Sequence, residues 1–263
     1  MSRGCLDNVG LYKQYKNVQD HQMQGIISAH VGNEKDKYAD IDEVLEDYGA
    51  RYKEEVEHVW DKSNAAKTQR ENTRHTYDKV IATYFPQLEG NDILDFSAGK
   101  GVSTREHGLS SYEPYAVDWT PDYSKSSDIP SNKYKAAIMN AVLNVIPNHG
   151  VFKGDRDDAV RELGRVLAPG GVAFIAVRDK KAVAKNKKHP SLNKEHAKDN
   201  LDGFFSTDKT FQKGFNKLEL ITYLKKILGP GFHIEAKVRT YLNPTTGKKQ
   251  KIGDVAVVVT KIS

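Results

Sequence analysis

Cysteine is almost missing from this chain: Cys5 is the only one among 263 residues. A single cysteine excludes an internal disulfide and any multi-cysteine zinc site. Histidine offers no substitute, because His189 and His196 are wrongly spaced for a helical pair and no HxxxH occurs, so no metal is expected. No apolar run approaches the roughly 18 residues of a membrane span, and no membrane partner is expected. The first residues, "MSRGCLDNVGLYKQYK", lack the apolar stretch of a secretory signal, which makes a cytoplasmic location the expectation. Charge is not strongly one-sided either. Forty basic and 35 acidic residues leave a net charge of +5, so composition favours an anionic partner only mildly. What counts is where the excess sits.

Two patterns divide the chain. Residues 1–70 are polar, and "DIDEVLEDYGARYKEEVEHVW" spaces Ile41, Val44, Leu45, Tyr48, Tyr52, Val56 and Val59 for amphipathic helices. This part is expected to be a helical extension or lid, with a surface for a protein partner. Residues 71–263 are expected to form one α/β domain. It opens on a helix in "NTRHTYDKVIATYF", with Asn72 or Thr73 as cap. Apolar runs then alternate with helical segments: "DILDF" (92–96), "YAVDW" (115–119), "KAAIMN" (135–140), "GVAFIAV" (171–177), "FHIEAKV" (232–238) and "DVAVVVTKI" (254–262). Strands alternating with helices predict a mostly parallel sheet. The last two runs have no helix between them and predict an antiparallel hairpin at the sheet edge.

The first of these strands runs into "ILDFSAGKG" (93–101). In an open α/β sheet, ligands bind beyond the C-terminal ends of the strands. A dinucleotide site would need a third glycine where Thr104 stands, and the GxxxxGK[ST] spacing of a P-loop is missing too. A phosphate is therefore not what this turn suits. An acid ahead of a glycine turn suits a ligand with a cationic amine. Asp118, at the end of "YAVDW", can accept two hydrogen bonds from ribose hydroxyls. Trp119 can pack on a base, and Asp128 in "SSDIP" can bond its amino group.

Together these features resemble the class I S-adenosylmethionine-dependent methyltransferases, over about residues 72–178. The resemblance rests on Asp95-Phe96-Ser97-Ala98-Gly99-Lys100-Gly101, on Asp118, and on a helix running into Val166-Leu167-Ala168-Pro169-Gly170-Gly171. Ser97 stands where the family usually has its first glycine. The resemblance implies a Rossmann-like sheet, S-adenosylmethionine as cofactor and methyl transfer as the activity. Asp95, Ser97, Gly99, Gly101, Asp118, Trp119 and Asp128 become the expected cofactor residues, with Arg74 reaching the cofactor carboxylate. Asn140 and Asn144 in "NAVLNVIP", at and just beyond the end of "KAAIMN", become candidate catalytic residues.

Two readings of the acceptor stay open. The segment lacks the [DNS]PP[YFW] tetrapeptide of amino-directed DNA methylases, and Cys5 lies far from every motif, which is against cytosine carbon 5 chemistry. Yet "RDKKAVAKNKKHPSLNKEHAK" (178–198) holds eight Lys or Arg and two acids, within a basic insertion at about 179–210. Placed near the mouth of a site, Lys185, Lys187 and Lys188 could neutralise phosphates. Phenylalanines 204, 205, 211 and 215 read either as core or as a lid that stacks on a base, with Phe211, Gln212 and Lys213 facing the substrate. Nucleic acid is thus placed ahead of a small molecule. A catalytically inactive binding or assembly subunit is the third reading.

Overall fold

Six strands form the central sheet: β1 (Ile93–Phe96), β2 (Ser110–Tyr112), β3 (Tyr134–Asn140), β4 (Leu167–Val177), β7 (Phe232–Glu235) and β10 (Val255–Lys261). Two short hairpins complete the chain-order numbering, β5 (Phe204–Phe205) with β6 (Phe211–Gln212), and β8 (Thr240–Leu242) with β9 (Lys249–Lys251). The helices are α1 (Thr73–Tyr84), α2 (Val102–His107), α3 (Asp155–Val166), α4 (Lys180–Val183) and α5 (Lys217–Leu228). This computed structural model describes residues 73–116, 118–148, 154–186, 203–207, 210–236, 240–242, 247–251 and 255–262. The extension expected over 1–70 and the basic residues Lys187 and Lys188 lie outside the described residues.

The strand order is β2-β1-β3-β4-β10-β7. β1 pairs in parallel with β2 and β3, β3 pairs in parallel with β4, and β10 runs antiparallel between β4 and β7. This is the predicted Rossmann-like arrangement: mostly parallel, with an antiparallel pair closing one edge. Ligand-binding crevices of such sheets lie at the C-terminal strand ends, where the order reverses beside β1.

Side-chain parity builds the two layers, since neighbouring residues of a strand point to opposite faces. Ile93, Ala136, Ile138, Phe174, Ala176 and Ala256 share one face and bury against Tyr77 and Val80 of α1. Leu94, Phe96, Ala137, Met139, Ile175 and Val257 share the other, against Val160 and Leu163 of α3 and Leu220 and Leu224 of α5. Both faces are covered, which is why the strands read as near-continuous apolar runs. Asn216 caps α5 by accepting from Glu219 N at 2.9 Å, and the Glu219 carboxylate in turn accepts from Asn216 N. Three acids in the first turn of α3 complement its N-terminal dipole.

The second strand differs from expectation. It is Ser110–Tyr112, and the described residues of 115–119 lie in turn and bend. Pro114 has no amide hydrogen and ends the pairing. The register Leu94↔Ser110 and Asp95↔Ser111 places two serines in the sheet because β1 holds them there. Only the Ser126–Asp128 turn of 3₁₀ helix breaks the irregular chain described between β2 and β3. The turn expected at Pro169-Gly170-Gly171 appears as a bulge within β4, where the register to β3 jumps between Tyr134↔Leu167 and Ala136↔Val172.

Candidate functional site

A cavity of about 320 Å³ opens at the C-terminal ends of β1, β2 and β3, on the α3 side of the sheet. Phe96, Ser97 and Gly99 of the glycine turn form one wall, and Glu113, Pro114 and Tyr115 after β2 form the next. Val142, Val145 and Ile146 follow β3, and Asp155, Asp158, Ala159 and Glu162 face in from α3. Among the described residues that line it there is no lysine, arginine or histidine.

The glycine turn is held from both sides. Ser97 N and Ala98 N both donate to Tyr112 O, at 2.8 and 3.0 Å, which ties the loop to β2. Ser97 has φ +67°, in the left-handed region where glycine is the favoured residue. Serine thus occupies a backbone shape suited to glycine, at a cost of about 1 kcal/mol. Ser97→Gly is expected to raise stability by roughly 0.5–1 kcal/mol without displacing the loop, as a urea midpoint would record. Gly101 begins α2 at φ +63°, and a Cβ there would lie 2.7 Å from the Trp119 ring.

Glu113 is the residue that the sequence reading missed. It is 4% exposed, and its Oε2 accepts from Gly99 N at 2.7 Å while Oε1 accepts from Tyr115 N at 3.0 Å. Burial pushes its carboxyl up from the ordinary value, and the two backbone donors oppose that. A buried carboxylate at the end of the second strand, bonded to the glycine turn, holds the position expected of Asp118. Asp118 itself is exposed, at φ +65°, and does not line the cavity.

Several other expected residues also lie elsewhere. Asp95 shares the parity of Ile93 and therefore points to the α1 face, away from the cavity. It is fully buried, accepting from Tyr77 Oη at 2.7 Å and Thr104 Oγ1 at 2.5 Å. It joins α1 and α2 to β1. Trp119 lies over Gly101, donates Nε1 to Gly99 O at 2.9 Å and stacks under Arg105, so it braces the turn from outside. Asp128 is exposed in its 3₁₀ turn and lies outside the lining, although Ser126 is part of it. Of the expected cofactor residues, the cavity brings together Ser97 and Gly99. Nothing is described of the Arg74 side chain.

Burial raises the Asp95 carboxyl to about 6, against the lowering effect of its Thr104 and Tyr77 donors. A carboxyl raised on folding favours the native state below its unfolded value, and that contribution fades as pH climbs through the folded value. From pH 4 to pH 7.5 the wild-type chain therefore loses roughly 2 kcal/mol on this account. Asp95→Asn removes the titration. Urea unfolding at both pH values should show the variant gaining on wild type as pH rises, and an unchanged gap would contradict the assignment.

The acceptor-side residues divide as well. Phe211 is fully buried, edge-on to Phe205 and beneath the Arg156 guanidinium, so it is core and not a stacking surface. Phe204, Phe205 and Phe215 are buried with it. Lys213 is 9% exposed and bonds Glu219 Oε1 at 3.0 Å. Gln212 donates to Thr210 Oγ1 at 3.2 Å. Lys185 is exposed just beyond α4. Asn140 ends β3 half-buried. Asn144 is 1% exposed, and its Oδ1 has no hydrogen-bond partner among the described residues. Lys213 N donates to Asn144 O at 2.8 Å, which brings the β5–β6 segment against the loop after β3. Behind that loop, buried Arg156 donates twice to Ile146 O, at 2.9 and 2.6 Å, between the rings of Phe211 and Phe215.

No protein-family model matches this chain, and no curated protein is significantly similar to it. Solved structures are similar in fold. One is the 1,6-didemethyltoxoflavin N1-methyltransferase of Burkholderia thailandensis, with 1,6-didemethyltoxoflavin and S-adenosylhomocysteine bound. It is 14% identical, with a TM-score of 0.48, over 83% of this chain and 91% of that one. An S-adenosylmethionine-dependent methyltransferase from Thermotoga maritima is 14% identical, over 73% of this chain and 89% of its own, with a TM-score of 0.45. One from Mesorhizobium loti is 15% identical over 71% and 98%, with a TM-score of 0.45. At these identities no residue role carries across, and the chemistry of the site rests on this chain's own geometry.

Proposed function

We propose that this chain is an S-adenosylmethionine-dependent methyltransferase acting on a small-molecule acceptor. One observation carries the reading: buried Glu113, bonded to the glycine turn, in a cavity at the ends of β1, β2 and β3 with no cationic side chain in its described lining. A phosphorylated nucleotide finds no counter-charge there, whereas a nucleoside bearing a cationic sulfonium fits the acidic lining. The carboxylate oxygens of Glu113 would accept from the ribose hydroxyls. Ser97 and Gly99 would admit the amino-acid end, and Pro114, Tyr115, Val145 and Ile146 would wall the base.

When bound, the cofactor supplies a methyl group on a sulfonium, which is reactive without further activation. The protein's part is to hold the two reactants in line and keep water out. Asn140 and Asn144 are the proposed acceptor-side residues: neither is in the described lining, but Asn144 belongs to the loop whose Val142, Val145 and Ile146 line the cavity, and its Oδ1, without a hydrogen-bond partner among the described residues, would orient an N–H or O–H group of the acceptor. Burial of all four phenylalanines at 204, 205, 211 and 215 supports a small molecule over a stacked nucleic-acid base.

Calorimetric titration with S-adenosylhomocysteine tests the cofactor. No heat and no thermal shift from folded protein would leave the inactive-subunit reading. Salt-sensitive binding of a polynucleotide that is lost when Lys185, Lys187 and Lys188 are neutralised would restore nucleic acid as the acceptor.

A further inference from the structure

Resting on that reading, we infer that Trp119 is a positioning residue for the amino-acid end of the cofactor, acting through Gly99 from outside the cavity. The indole is half-buried and is not part of the described lining. Its partners lie in the glycine turn and in α2 just beyond it.

The need for such a residue follows from the backbone of the turn. Ser97, Gly99 and Gly101 have φ of +67°, +59° and +63°, three left-handed residues at alternate positions. Glycine adopts either hand about equally, so the chain alone leaves Gly99 free to aim its peptide groups several ways. Contacts must remove that freedom, because a loop that orders only on binding loses affinity to the cost of ordering it. Ser97 N and Ala98 N are held by Tyr112 O, and Gly101 N donates to Ala98 O at 2.9 Å. Gly99 is held by two side chains. Glu113 accepts from its N at 2.7 Å, and Trp119 Nε1 donates to its O at 2.9 Å. Gly99 is also the last residue of the turn that lines the cavity.

Gly101 is what lets the indole reach. A Cβ at Gly101 would stand 2.7, 2.8 and 2.9 Å from three atoms of the ring, so the ring lies against bare backbone. Arg105 completes the brace, with its guanidinium 5.5 Å from the ring centroid and Nη1 donating to Lys100 O at 3.2 Å. Gly101 thus serves the tryptophan, and Gly99 serves the ligand. The two anchors of Gly99 also divide the cofactor between them. Glu113 faces the ribose and Gly99 the amino-acid end, so losing the indole bond falls on one part of the ligand.

Calorimetry with S-adenosylhomocysteine and 5′-methylthioadenosine tests this. The second compound keeps the base, ribose and sulfur and lacks the amino-acid end. Trp119→Phe retains a ring over Gly101 and loses the N–H. It should weaken S-adenosylhomocysteine about five- to tenfold and change 5′-methylthioadenosine by less than about twofold. Gly101→Ala displaces the indole and should give the same split, so the test does not hang on one substitution. Its effect on S-adenosylhomocysteine should shrink at least about threefold when Trp119 is already alanine. Equal loss for both compounds would make Trp119 a general support of the fold, and unchanged affinity for both would detach it from the site. Either result overturns the inference, as does a Gly101→Ala effect that is the same with and without the indole. If 5′-methylthioadenosine binds wild type too weakly to follow, that coupling decides alone. Failure of wild type to bind S-adenosylhomocysteine removes the cofactor reading, and this inference with it.

Discussion

Glu113→Ala is expected to weaken S-adenosylhomocysteine binding at least about 100-fold, with Asp118→Ala indistinguishable from wild type. Two effects combine in the first variant. The carboxylate that would accept from both ribose hydroxyls is gone, and each charge-assisted bond contributes about 1.5–3 kcal/mol. Gly99 N also loses the acceptor it holds at 2.7 Å, so the loop facing the ligand is no longer set. Glu113→Gln separates the two contributions. Its amide oxygen can still accept from Gly99 N, but its amino group faces Tyr115 N, a second donor. Intermediate affinity is expected, with the thermal midpoint a few degrees below wild type because Tyr115 N loses its acceptor. The reverse order, with Asp118→Ala destroying binding and Glu113→Ala tolerated, would return the ribose to the residue first expected.

Arg156→Met should destabilise the fold by about 3 kcal/mol in urea unfolding. The residue is 1% exposed, and its guanidinium donates twice to Ile146 O. Methionine keeps an unbranched stem between Phe211 and Phe215 and favours aromatic contact, so the loss is of the guanidinium's polar and cation–π contacts, the two bonds to Ile146 O among them. Ile146 lines the cavity, so ligand affinity should fall along with stability. A stable variant with unaltered affinity would show that the loop after β3 is held without Arg156.

The sheet was legible from the alternation of apolar runs with helical periods, because both faces are covered and the strands are apolar throughout. The register was not. "YAVDW" has more strand propensity than "SSY", yet pairing with β1 placed the serines in the sheet and left the aromatic run outside it. Pro114 was the available signal, since it marks "SSYE" as the segment that stops at the cavity. Asp95 stands out as an acid at a strand end, but the face it takes could not be read locally. Parity places it with Ile93, and only the packing of α3 on the other face decides which side holds the cavity. Arg156 gave no signal at all in "DRDDAVRELGRV", where it reads as one more charge on an amphipathic helix.

The place of β10 has a consequence for how the chain is made. β4 pairs with β3 on one side, and its other edge waits for β10. Residues 178–254 must be synthesised first, on the order of ten seconds at ordinary translation rates. Through that interval Phe174 and Ile175 lie on a strand with one unpaired edge, the kind of template that captures other chains. A chain stalled before Val255 is therefore expected to aggregate, and release of the full sheet depends on seven late residues.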